Sequence, residues 1–159
     1  MQSFAQPFAP EEHRLPLDIS ENTYEIGVEI NDGPPMEYLS ERAHTSYKRF
    51  CKTLVLEDDP LLIEEYKKVH AAGAAWPEIT RGMREVGILD MEIYLVGSRL
   101  FMIMDTVPDF DHDKAMTQLA TKPRQSEWEA YVSKFQKTSS GSTAGEKWQL
   151  TERIYKLGE

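Results

Sequence analysis

Two short apolar runs, Met91–Leu95 and Leu100–Met104, flank Val96-Gly97-Ser98-Arg99 near the middle of the chain. Apolar runs of that length on either side of a Gly-containing turn predict a β-hairpin with antiparallel strands. The segments before and after it must then supply the rest of a sheet and its cover.

Upstream, Phe50–Leu56 is apolar and β-branched enough for a strand. Asp58-Asp59-Pro60 reads as a turn into a helix, with Asp59 as N-cap and Pro60 at the first position. Leu62, Ile63, Tyr66 and Val69 or His70 follow at helical spacing. A second helix is expected from Pro77 through Ile79, Met83 and Val86, stopping at Gly87. Downstream of the hairpin, the acids of Asp109–Asp113 precede a helix carrying Ala115, Met116, Leu119 and Ala120. Another helix follows Pro123 with Trp128, Tyr131, Val132 and Phe135, and the polar Lys137–Gly145 segment is expected as a loop. Trp148–Leu157 reads as a last strand anchored by Trp148, Leu150 and Ile154. The order strand, helices, strand, strand, helices, strand is that of a ferredoxin-like α+β sandwich, with helices covering one face of a four-stranded antiparallel sheet. The other face needs a cover, which either the same sheet of a second subunit, as in a dimeric α/β barrel, or a ligand enclosed by the curved sheet provides, and a homodimer is expected.

The chain has 159 residues, enough for one domain with appendages. Residues 1–45 are rich in turn signals and hold nine acids against Arg14 and Arg42, a charge of -7; the remainder, with eighteen acids and sixteen bases, carries -2. We therefore divide the chain into an acidic arm, 1–45, and a folded domain, 46–159. Within the arm, Tyr24, Ile26, Val28 and Ile30 alternate with Glu25, Gly27 and Glu29 as an edge strand would. An acidic chain without a basic stripe is a poor ligand for nucleic acid or an anionic membrane, and no run reaches the length of a membrane span. Cys51 alone cannot build a disulfide framework, and the start of the chain does not read as a secretory signal, so a reducing cytoplasm is expected. Cys51 itself reads as a small buried strand residue.

If the first helix forms, Tyr66 and His70 lie four residues apart on one face. A phenol beside an imidazole pairs a hydrogen-bonding group with one that moves protons near neutral pH, which suits a hydroxylated small molecule. The same spacing also occurs on any ordinary amphipathic helix. Other features are weaker: Asp109, Asp111, His112 and Asp113 fit a helix N-terminus better than a metal site. Gly141–Lys147 departs from a phosphate loop in spacing and in its last residues. His13 and His44 have no sequence partners.

Several blocks, taken together and in order, are more specific than any one of them. They are Glu65-Tyr66 with His70, Trp76-Pro77-Glu78-Ile79, Asp90–Tyr94, Arg99–Met104, Glu127-Trp128-Glu129, and Gly145–Trp148 ahead of Glu152-Arg153-Ile154. Over roughly Tyr47–Leu157 the chain resembles the L-rhamnose mutarotase family of small sugar mutarotases, and within it the L-fucose mutarotase members. The resemblance implies a dimeric ferredoxin-like enzyme that interconverts α and β anomers of a 6-deoxy-L-hexose, L-fucose before L-rhamnose, without cofactor or metal. It implies His70 as catalytic acid/base, with Tyr66, Trp128, Glu129, Met91 and Tyr94 around the sugar. A tryptophan face covers the C–H side of a pyranose and a carboxylate accepts from its hydroxyls; the alternatives are core packing for Trp128 and a solvated helix position for Glu129. Met91, Ile93 or Met104 would meet the C6 methyl group. Two departures stand out: Ala71–Ala75 inserts about two residues between His70 and the Trp-Pro pair, and Met91 stands where the rhamnose-type pattern has tyrosine. Glu129, Tyr66, Tyr94 or a water are open as the complementary base. The rival readings are a cofactor-independent oxygenase or decarboxylase on the same scaffold, and a non-catalytic dimeric interaction module using Tyr24–Ile30.

Overall fold

In the computed structural model, which describes Tyr38, residues 46–139 and residues 141–159, the central hairpin forms as expected. Strands β2 (Ile88–Val96) and β3 (Arg99–Thr106) pair antiparallel around Gly97-Ser98. Gly97 has φ +58° and Ser98 an ordinary negative φ, the sign pattern of a type II′ turn, whose twist suits a hairpin. Strand β1 (Lys48–Val55) pairs antiparallel with β3, and β4 (Gln149–Leu150) with β1, giving the sheet order β2-β3-β1-β4. With the helices falling between β1 and β2 and between β3 and β4, this is the ferredoxin-like topology.

Strand parity decides which side chains meet the helices. Leu54 of β1, Leu56 just after it, and Leu100, Met102 and Met104 of β3 lie in one buried cluster with Tyr66, Ile79 and Trp128 from the helices and Phe135 just past α4. A register shift between Ile88 and Asp90 bulges β2, so Ile88 and the later Met91, Ile93 and Leu95 all turn inward. Cys51 falls on the opposite parity and is exposed, which corrects the expectation that it is buried. In its place the inward position is taken by Lys52, 2% exposed.

The helices begin and end where local chemistry requires. Asp59 caps α1 (Pro60–Val69) by accepting from Leu61 N at 2.9 Å, and Pro60 occupies the first turn. The inserted Ala71–Ala75 forms a turn closed by Ala74 N donating to Ala71 O at 2.8 Å, so α2 (Pro77–Glu85) restarts cleanly at Pro77. Gly87 follows with φ +100°, and a Cβ there would lie 2.9 Å from Val107 Cγ2. Asp111 caps α3 (His112–Ala120) through Lys114 N. The helix α4 (Gln125–Ser133) carries Trp128 and Val132 into the core.

Two details differ from expectation. The end of the polar Lys137–Gly145 segment enters a one-turn helix, α5 (Ala144–Lys147), closed by a capping box between Thr143 and Glu146. The last strand is two residues long, continued by Thr151, whose N and Oγ1 donate to Cys51 O at 3.0 and 2.9 Å. Ile154, expected as an anchor, is 91% exposed, as are most of Tyr155 and Leu157. The Tyr24–Ile30 alternation, His13 and His44 lie outside the described residues. Among the described residues no helix is long and apolar enough to cross a membrane.

Candidate active site

Between the inward face of the sheet and helices α2, α3 and α4 lies a cavity of about 400 Å³, within the range of small-molecule sites. His70, at the C-terminal end of α1, reaches its wall. Its Nδ1 is 2.9 Å from the Tyr66 carbonyl oxygen. A carbonyl only accepts, so Nδ1 carries the proton and Nε2 is left with a lone pair. Burial pushes the imidazole below its ordinary value of 6.5, outweighing the opposite effect of the Tyr66 bond. At neutral pH the ring is therefore an uncharged base with a fixed tautomer.

Aromatic packing holds that ring in place. Tyr66 lies beneath it at 4.2 Å between centroids, and Trp128 meets it edge-on at 5.4 Å. Trp128 is in turn packed by Trp76 at 5.3 Å, Trp76 stacks on Tyr131, and the Arg124 guanidinium sits 4.1 Å above Trp76. The Trp-Pro start of α2 and the late helix α4 are thus clamped together beside His70.

Of the residues singled out in the sequence, His70, Trp128, Glu129 and Met91 line one cavity, joined by Ile93 and Met104. Met91, Ile93, Met102 and Met104 make the β2–β3 part of its sheet wall apolar. Tyr66 is not a lining residue: it is buried at 4% exposure, its phenol is pushed up by burial, and it hydrogen-bonds with the Gln136 side chain. It supports His70 from behind. Tyr94 belongs to the other parity of β2, pairs with Phe101 across the hairpin, and hydrogen-bonds to Glu92 on the sheet's outer face. The sheet therefore separates it from the cavity.

Glu129 is held from both sides. Lys147 Nζ, its side chain fully buried, donates to Glu129 Oε2 at 2.9 Å, to the Glu129 carbonyl at 2.8 Å and to Ser133 Oγ at 2.8 Å. Gln125 Nε2 donates to Glu129 Oε1 at 2.8 Å. Three further polar residues belong to the site, none of them expected there from the sequence, although Lys147 lies within the Gly145–Trp148 block. Lys147 arrives on α5; Gln136 lines the cavity with its Oε1 buried and unpartnered; and Lys52 projects from β1. The one available signal was parity, because Lys52 alternates with Phe50, Leu54 and Leu56. Among the described residues no three His, Cys, Asp or Glu side chains gather as metal ligands.

Residues 49–157 match the family model described as L-rhamnose mutarotase. The chain belongs to the L-rhamnose mutarotase family. It is accordingly an isomerase of sugar anomers. An L-fucose mutarotase of Xanthomonas campestris pv. campestris is 39% identical over 114 residues, covering 72% of this chain and 91% of that protein. A UPF0734 protein of Dictyostelium discoideum is 35% identical over 117 residues, covering 70% and 90%. The crystal structure of an L-rhamnose mutarotase from Formosa agariphila superposes with a TM-score of 0.48 at 12% identity, over 69% of this chain and 98% of that one. The family match spans the elements from β1 to the C-terminal tail, and so includes every residue of the cavity wall described above.

Proposed function

We propose that this mutarotase interconverts the α and β anomers of a 6-deoxy-L-hexose, L-fucose in preference to L-rhamnose, with His70 as its acid/base. The observation that carries the reading is the Nδ1-to-Tyr66 carbonyl bond, which leaves the Nε2 lone pair as a base at the wall of a sugar-sized cavity. Opening the ring requires a proton to leave the anomeric hydroxyl and another to reach the ring oxygen, and closing it on the other face reverses both transfers; a positioned imidazole takes the first proton and returns it. Trp128 offers a flat apolar edge for the ring's C–H side, and Glu129 keeps acceptor capacity for hydroxyls beyond its bonds to Lys147 and Gln125.

The substrate preference rests on the apolar patch of Met91, Ile93 and Met104, which suits a methyl group at C6 better than a hydroxymethyl. The 39% identity to the Xanthomonas L-fucose mutarotase supports the choice of sugar. Saturation-transfer proton NMR on equilibrated sugars tests it. Anomer exchange is expected to be faster for L-fucose than for L-rhamnose, and L-galactose, which adds a hydroxyl at C6, is expected to be slower still. Equal acceleration of all three would contradict a pocket built around the methyl group.

The working form is proposed to be a homodimer in the cytoplasm. Among the described residues no helix covers the sheet's outer face, which presents Phe101, 41% exposed, with Val55, Ile103 and Tyr94 half-buried. The exposed Ile154, Tyr155 and Leu157 of the tail add a second apolar surface suited to a copy of the same chain.

A further inference from the structure

We propose that the Lys52 ammonium is the acid that works with His70, protonating the ring oxygen while His70 Nε2 takes the proton of the anomeric hydroxyl; this rests on the mutarotase reading above. Lys52 comes from β1 on the inward parity, lines the same cavity as His70 and is 2% exposed. Its register partner on β3 is Met102, and its Nζ meets Met116 Sδ of α3 at 3.8 Å. A thioether is a weak acceptor, so among the described residues the buried ammonium has no carboxylate or carbonyl in its hydrogen-bond shell. An ammonium is costly in such a place, and a substrate oxygen would complete its coordination.

The other ionisable groups facing the cavity are unsuited to the role. On α4, both oxygens of Glu129 already accept, from Lys147 of α5 and from Gln125. Arg84 of α2 is an exposed side chain. Asp90 of β2 is exposed and accepts from Met91 N. Tyr66 lies behind His70, and Tyr94 is across the sheet. Desolvation pushes Lys52 down to about 8, so near neutrality it is protonated and still a much stronger acid than an exposed lysine.

The proton inventory closes. As His70 Nε2 takes the hydroxyl proton, the O1 electrons form the carbonyl, the C1–O5 bond breaks, and O5 takes a proton from Lys52. After rotation about C1–C2, O5 attacks the opposite face of the aldehyde, Lys52 recovers its proton from O5, and imidazolium returns one to O1. Both groups end in their starting states, so no other reactant is required.

The test is anomer exchange on L-fucose by wild type, Lys52→Gln and Lys52→Met from about pH 6 to about pH 10. Glutamine keeps a hydrogen-bond donor but cannot transfer a proton. Both variants are expected to lose about 10²–10⁴-fold in enzymic kcat, with KM changed less than about threefold, and to lose the wild-type decline above about pH 8. In wild type labelled at lysine ¹³Cε, one lysine should titrate well below the rest, shift on adding L-fucose and be missing from Lys52→Met. Retention of kcat or of the alkaline decline in Lys52→Gln would overturn the role, as would the absence of a low-titrating lysine. A wild type that exchanges no sugar would overturn the mutarotase reading itself and this role with it, whereas an active wild type with unaffected variants removes Lys52 alone.

Discussion

His70 and Tyr66 touch twice: the imidazole Nδ1 donates to the Tyr66 backbone oxygen at 2.9 Å, and the two rings lie 4.2 Å apart. The first contact sets the tautomer and the second fixes the ring plane. A helix end supplies this naturally, because the last carbonyls of a helix have no intrahelical partner and a side chain four residues on can reach back to them.

The acid limb of activity should therefore lie below pH 6.5, the ordinary histidine value, because burial depresses His70 and only the neutral ring can accept the first proton. The same shift has a sign for stability. Below 6.5 the unfolded chain takes up the proton before the folded one does, so this contribution is present above 6.5 and is lost as pH falls through the lower, folded-state value. Denaturant midpoints measured down the acid range should fall more steeply for wild type than for His70→Gln.

Lys147 and Glu129 form a buried pair, with side-chain exposures of 0% and 14%. Glu129→Gln leaves the ammonium without its counter-ion and should cost about 3–5 kcal/mol of folding stability, seen in urea titration. Lys147→Met strands the carboxylate instead and should also destabilise. A loss under 1 kcal/mol in both, where about 3 is expected, would mean that the pair is not desolvated.

Lys52 has the opposite expectation. Because it is buried beside a thioether, Lys52→Met should raise stability at neutral pH by about 1–3 kcal/mol. For wild type, the unfolded chain binds the proton more tightly between about 8 and 10.5, so stability should climb as pH rises across that window. Thermal melts at both ends of the window check the sign.

Gly87→Ala should destabilise by about 1–3 kcal/mol, since φ is +100° there and the new Cβ would meet Val107 Cγ2 at 2.9 Å. Gly97→Ala faces no such neighbour and should cost less.

The parts of the fold that were legible in the sequence are those written in local chemistry: the Gly97 turn, the Asp59-Pro60 start of α1, and the Pro77 start and Gly87 end of α2. His70, Trp128, Glu129 and Met91 could be named because they sit in recurring blocks. Side-chain direction was harder. Cys51 was expected inside on residue type, but parity is set by which alternate set packs on the helices, and Phe50, Lys52, Leu54 and Leu56 win that contest. A lysine among them reads as solvated until the helices are in place. Tyr94, three residues after Met91 on β2, falls on the opposite parity and so on the sheet's other face. The expected Trp148–Leu157 strand pairs with β1 only at Gln149 and Leu150, with Thr151 N donating to Cys51 O beyond them.

If the outer face of the sheet meets a second copy, Phe101→Glu should convert a dimer to a monomer in light scattering behind size-exclusion chromatography, because it places two charges at a two-fold contact. A wild-type monomer at working concentrations would contradict that assembly.

The most direct measurement is saturation transfer between the anomeric proton signals of L-fucose with wild type and His70→Ala, both verified as folded. Exchange accelerated by wild type and lower by about 10²–10⁴-fold in the variant is the predicted result. Equal acceleration by both proteins would contradict His70 as the acid/base.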